Sequence, residues 1–158
     1  MRGRLLTLAL LATLGALAFG TVAVAGASSR PVPAAKSSGA ATVTVRKTKL
    51  GRIIVDGSGR TMYLFEKDKG THSACSGACA KAWPPLMTKG KPKATGGAEA
   101  KLLGTTKRSN GTQVTYAGHP IYGYMGDTKP GQTNGEGSRA FGAAWYVLAP
   151  NGHKIDKS

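Results

Sequence analysis

From residue 42 onward the apolar positions come in short runs of four to six, closed off by glycine-bearing turns, with no helical period sustained over a dozen residues. Leu50 to Val55 reads as a strand, Asp56-Gly57-Ser58-Gly59 as a turn, and Thr61 to Phe65 as the strand returning from it. Residues 66 to 82 read as a loop with a short helical piece, and 87 to 99, rich in Gly, Lys, Pro and Ala, as an exposed linker. Leu102 to Lys107 and Thr112 to Tyr116 flank Asn110-Gly111 as a second hairpin. Pro120 to Tyr124 follows as a strand that Pro120 must begin or place at an edge, since it has no N–H to give. After a Gly-rich loop over Lys129 to Gly137, Trp145 to Leu148 and His153 to Ile155 form a last pair around Pro150-Asn151-Gly152.

Two of these stretches are the same unit. Gly59-Arg60-Thr61-Met62-Tyr63-Leu64-Phe65-Glu66-Lys67-Asp68 recurs 59 residues later as Gly118-His119-Pro120-Ile121-Tyr122-Gly123-Tyr124-Met125-Gly126-Asp127. Glycine, first tyrosine, second aromatic and aspartate keep their offsets without a gap, which marks an internal duplication. On a strand, Tyr63 and Phe65 share one face and Met62 and Leu64 the other; Tyr122 and Tyr124 repeat the first face, and Ile121 the second. The glycine ahead of each strand suits a backbone position with positive φ. The aspartate lies past the strand, where its carboxylate can accept N–H groups of the exit loop. The expected fold is mainly β: a compact antiparallel domain of two tandem repeats (about 50–86 and 102–149), with a short helical turn around Cys75 and Cys79. Trp83 and Trp145 return to the core at the end of each repeat. The tyrosines and aspartates admit two readings, core packing with loop closure or a ligand site shared between the repeats, and the first accounts for them more simply. With one backbone donor per aspartate, Asp→Asn is expected to be mild.

Tyr63-x-Phe65-x-x-Asp68 and Tyr122-x-Tyr124-x-x-Asp127 resemble the Tyr-x-aromatic-x-x-Asp signature of the bacterial secreted-repeat lipoproteins. The similarity extends to Val55 to Thr61, to Cys75-Ser76-Gly77-Ala78-Cys79-Ala80-Lys81-Ala82-Trp83-Pro84-Pro85, and to Ala140 to Val147, covering roughly residues 50 to 152. What it implies is a secreted protein of largely unknown role. The departure is that no Cys follows the leader, so lipid attachment there is not expected.

That leader is Met1-Arg2-Gly3-Arg4, a basic start, followed by an apolar stretch from Leu5 to Phe19 and small residues at Ala23-Val24-Ala25 and Ala25-Gly26-Ala27. It reads as a signal peptide over 1–27, too short for a membrane span. Residues 28–41 read as a flexible Ser/Pro/Ala/Lys tether, and 42–155 as the folded domain. No apolar run outside the leader could cross a membrane as a helix.

The two cysteines of this 158-residue chain are Cys75 and Cys79. In an exported protein they favour a disulfide. Four residues apart, they reach one another only in a turn or helix, because in a strand their Cα atoms would lie about 13 Å apart. Neither the Cys-x-x-Cys redox spacing nor a haem-attachment motif is present. His72, His119 and His153 show no metal-ligand spacing, although His72 with Cys75 and Cys79 would be conceivable were the thiols free. No nucleophile motif or phosphate loop occurs. Asp68 and Asp127 could form an acid/base pair only if the repeats brought them together. No catalytic residue, metal site or cofactor is therefore assigned.

Charge changes the picture most. The chain carries +15, and without Arg2 and Arg4 there remain 20 Lys and Arg against seven acids, or +13. Such a field attracts polyanions, and outside a bacterium these are anionic wall polymers and lipid head groups. No base-reading module points to specific nucleic-acid binding. The expected function is a secreted, non-enzymatic module associated with the cell envelope. The alternative is an extracellular redox, haem- or metal-binding protein that uses Cys75 and Cys79 or the motif tyrosines.

Overall fold

The computed structural model describes residues 39–157. The leader expected over 1–27 and most of the tether lie outside the described residues. Nine strands form three small sheets: β1 (Thr42–Thr48), β2 (Gly51–Asp56) and β4 (Lys93–Ala94); β3 (Tyr63–Phe65), β8 (Trp145–Leu148) and β9 (Lys154–Ile155); β5 (Leu103–Arg108), β6 (Gly111–Tyr116) and β7 (His119–Pro120). All pairings are antiparallel except β1 with β4. One five-residue helix, α1 (Ala78–Ala82), follows Cys75, and single 3-10 turns cover Ala100–Leu102 and Ala140–Gly142.

The period of two along the strands sorts side chains into two cores. Ile54, Met62, Leu64, Ile121, Tyr146 and Leu148 pack into one, together with Val43, Val114 and Tyr116. Their chain neighbours Ile53, Val55, Tyr63, Phe65, Tyr122, Trp145 and Val147 pack into the other, with Trp83 and both cysteines. Strands buried on both faces read as continuous apolar runs. That explains why Ile53-Ile54-Val55 and Trp145 to Leu148 show no polar alternation.

Two pairings differ from the sequence reading. β2 is the second arm of a hairpin with β1, closed by Lys49-Leu50, and its ladder is with β1 and not with the strand after Asp56. That next segment touches β2 only at a Val55–Thr61 bridge and then runs on to pair with β8. Second, the expected linker contains β4, and the N–H groups of Lys93 and of Thr95, just beyond it, donate to the carbonyls of Ala41 and Val43. The repeat is accordingly a hairpin plus a motif strand: β1–β2 then β3, and β5–β6 then β7 with residues 121–124. Gly59 and Gly118 both have positive φ, +85° and +81°. At Gly59 a Cβ would also meet the Arg46 guanidinium at 2.9 Å.

Candidate functional site

The two motif strands meet at their tyrosines. Tyr63 N–H donates to the Tyr122 carbonyl (2.8 Å) and Tyr122 N–H to the Tyr63 carbonyl (3.0 Å), so the pseudo-two-fold relation of the repeats passes between these residues. Both side chains are fully buried. Each hydroxyl crosses to the other repeat: Tyr63 Oη donates to Asp127 Oδ2 (2.6 Å) and Tyr122 Oη to Asp68 Oδ2 (2.7 Å). The second oxygen of each aspartate closes its own exit loop. Asp68 Oδ1 accepts the Ala74 N–H (2.7 Å) and Asp127 Oδ1 the Asn134 N–H (2.9 Å).

The aromatic residues repeat the exchange. Trp83 and Trp145 lie face to face, with ring centroids 3.9 Å apart and planes 5° from parallel. Phe65 of the first repeat stacks on Trp145 of the second (4.0 Å), and Tyr124 of the second on Trp83 of the first (4.3 Å). Tyr63 meets Trp83 edge-on and Tyr122 meets Trp145 edge-on, both at 5.3 Å. A four-ring column, Phe65–Trp145–Trp83–Tyr124, thus carries a tyrosine edge on each central ring. Gly135 packs so close to it that a Cβ there would lie 2.6 Å from the Trp83 ring.

Electrostatics follow from burial. Desolvation raises both aspartate carboxyls above their ordinary range; the Ala74 N–H and Tyr122 hydroxyl pull Asp68 back, and the Tyr63 hydroxyl and Asn134 N–H pull Asp127 back. Arg60 lowers Asp127 and His119 lowers Asp68, together with Arg108. Arg60 and His119, aligned in the duplication, thus each stand beside the other repeat's carboxylate. Burial, reinforced by the adjoining carboxylates, raises the Tyr63 and Tyr122 phenols far above their usual value.

The two halves are not identical. Tyr122 Oη also meets Ser73 Oγ (2.7 Å), and Arg108 donates to Ser73 Oγ, to the Cys75 carbonyl and to Gln113 Oε1 (2.9 Å). Fully buried Gln113 in turn donates to the Ile121 carbonyl (3.0 Å). Ser73, Arg108 and Gln113 were not singled out in the sequence. Gln113 alone left a signal, as a polar residue beside the apolar run of β6; Ser73 and Arg108 look like ordinary surface residues. Cys75 and Cys79 sit at disulfide distance with Cα atoms 5.2 Å apart, in the turn that opens α1. From there the Trp83 N–H donates to the Cys79 carbonyl (2.7 Å), so this cross-linked turn delivers Trp83 to the column. Among the described residues no cluster of three or more His, Cys, Asp or Glu is placed to hold a metal ion, and no helix is long and apolar enough to cross a membrane.

Chemically, the motif residues satisfy one another: each hydroxyl has its carboxylate and each carboxylate has two donors. A family model described as a secreted repeat of unknown function matches the chain twice, over residues 44–87 and 104–149. These bounds take in β1 and β5, the hairpin arms that precede each motif strand. Neither the curated proteins nor the solved structures hold a significant match. With both repeats matched over more than half of its length, the chain belongs to this family of secreted repeats of unknown function.

Proposed function

We propose that this protein is a non-enzymatic module of the bacterial envelope, exported by its leader and held near the wall or membrane surface by attraction to anionic polymers. The observation that carries this reading is where the charges go. All seven acids and 18 of the 22 Lys and Arg fall within residues 39–157. Asp56 is used by its own turn, where Oδ1 accepts the N–H groups of Ser58 and Arg60. Asp68 and Asp127 serve the tyrosines, and Glu136 accepts the Val147 N–H at 2.7 Å. Glu99 and Glu66 pair with Lys101 and Lys154. The acids thus largely serve the fold, and most of the cations face solvent. Lys47 and Arg52, both exposed, stand directly opposite each other on β1 and β2. Like charges in that position repel, and a bound polyanion would relieve them.

Co-sedimentation with isolated wall material tests the reading. Binding should weaken at least about tenfold between roughly 0.05 and 0.3 M salt, as screening shortens the reach of exposed charges. Replacing Lys47 and Arg52 by Glu should weaken it further without loss of fold. Binding that is absent, or indifferent to salt and to these substitutions, overturns it.

A further inference from the structure

The two repeats treat one equivalent strand differently. In the first, the outer edge of β1 is covered: the Ala41 and Val43 carbonyls accept the N–H groups of Lys93 and Thr95, so that β4 lies on it as a third strand. The counterpart of β1, sixty residues on, is β5, and among the described residues β5 ends its sheet with no strand on its outer side. The strand that follows the second repeat, β9, pairs with β8 instead.

Which groups this leaves open follows from the register. The Ala117 N–H donates to the Leu102 carbonyl, which makes Gly104–Thr115, Thr106–Gln113 and Arg108–Gly111 the hydrogen-bonded rows. The Leu103 carbonyl and the N–H and C=O groups of Thr105 and Lys107 therefore point outward, and among the described residues no backbone group meets them; the Leu103 N–H is taken by the Ala100 carbonyl. A groove of about 460 Å³ is lined by these residues together with Gly90, Lys91, Pro92 and Ala100. Its lining includes Lys91 and Lys107 and no acid.

We propose that the open edge of β5 is a strand-addition site that receives an extended acidic peptide segment of a partner protein, along the edge equivalent to the one β4 joins on the first repeat. The unpaired row supplies backbone bonds, as in other edge-strand recognition. Lys91 and Lys107 supply the preference for acidic side chains. The same lysines oppose edge-to-edge pairing of two copies, because like charges would face each other. This goes beyond general attraction to polyanions, since it requires chain direction, chirality and register.

The test uses the folded protein and a capped peptide of about six residues alternating glutamate and valine, long enough for a typical strand. Titration should slow hydrogen exchange at the Thr105 and Lys107 amides. The all-D peptide, identical in charge, should bind at least about tenfold more weakly, a difference of roughly 1.4 kcal/mol. Thr105→Pro removes an outward N–H without breaking a ladder bond and should abolish the protection. Should that variant misfold, the double substitution Lys91→Gln and Lys107→Gln leaves the backbone intact and should weaken the L-peptide. Equal binding of the two enantiomers, or no protection of β5 amides up to about 1 mM peptide, overturns the proposal. Either result leaves salt-dependent wall binding untouched. Conversely, L-selective binding with no attachment to wall material would retain the strand site and discard the charge reading.

Discussion

At the scale of residues, each carboxylate of the motif accepts from two donors of different origin, a loop N–H in its own repeat and a tyrosine hydroxyl from the other. An amide oxygen can serve only one of them, so the sequence-based expectation of a mild Asp→Asn effect gives way to a cost of about 1–3 kcal/mol, the scale of one buried group left unpaired. Tyr63→Phe should cost a similar amount. The crossing makes a sharper prediction: in a double-mutant cycle, Tyr63→Phe with Asp127→Asn should couple by roughly 1–2 kcal/mol, whereas Tyr63→Phe with Asp68→Asn should be additive. Denaturant midpoints of the three single and two double variants decide it, and coupling within a repeat would contradict the exchange. The raised phenols add a dependence on pH. Burial lifts Tyr63 and Tyr122 above their unfolded value of about 10, so their contribution is intact below that pH and is lost as pH rises above it. Stability should fall above about pH 10 by up to roughly 1.4 kcal/mol per pH unit for each tyrosine. Tyr63→Phe should flatten that slope, and urea titrations at several alkaline pH values would show whether it does.

At the scale of elements, the turn holding Cys75 and Cys79 works through what it carries. Its carbonyl at Cys75 receives Arg108 from the second repeat, and α1 beyond it ends at Trp83. Replacing both cysteines by serine should destabilise the fold by about 2 kcal/mol, the loop-closure estimate for so short a ring. It should also loosen the Trp83 environment, read as a change in tryptophan fluorescence; unchanged stability and fluorescence would show the cross-link to be dispensable. The sequence revealed the elements more readily than their partners. Alternation along Tyr63 to Phe65 gave the strand and its two faces, and the split of Met62 and Leu64 from Tyr63 and Phe65 into separate cores follows from it. Alternation does not identify the neighbour, however. Asp56-Gly57-Ser58-Gly59 has hairpin chemistry, yet its following strand meets β2 at one bridge only and takes its ladder from β8, some eighty residues away. β1 escaped notice although Thr42-Val43-Thr44-Val45 alternates. Its charged end, Arg46-Lys47-Thr48-Lys49, resembles a tether, and such residues are tolerated there because that end of the strand is exposed. β4 is two residues long and joined to β1 by backbone bonds, which leave no trace in side-chain pattern.

For the whole molecule, duplication does not mean two independent units. The Tyr63 hydroxyl finds its acceptor in the second repeat and the Tyr122 hydroxyl in the first. Phe65 stacks on Trp145 and Tyr124 on Trp83, and β3 takes its ladder from β8. Separating the repeats would leave each half with a buried phenol and a carboxylate unmatched and two large rings uncovered, and would strip β3 of its ladder while leaving β8 with β9 alone. Each of these losses costs about 1–5 kcal/mol, and together they are comparable to the whole stability of a small domain, roughly 5–15 kcal/mol. Neither half should therefore fold alone. The break can be made between residues 98 and 99, after β4 and before the 3-10 turn at Ala100, where it leaves β1–β4 and β5–β6 intact. Fragments 39–98 and 99–157 should each lack a cooperative thermal transition and the near-ultraviolet dichroism of stacked tryptophans. Mixed in equal amounts they should regain both, with a midpoint that rises with concentration, as expected when folding is coupled to association. Native-like dichroism in either fragment alone would mean that a single repeat can complete its own core, and that the crossed pairs are an addition to the fold and not its basis.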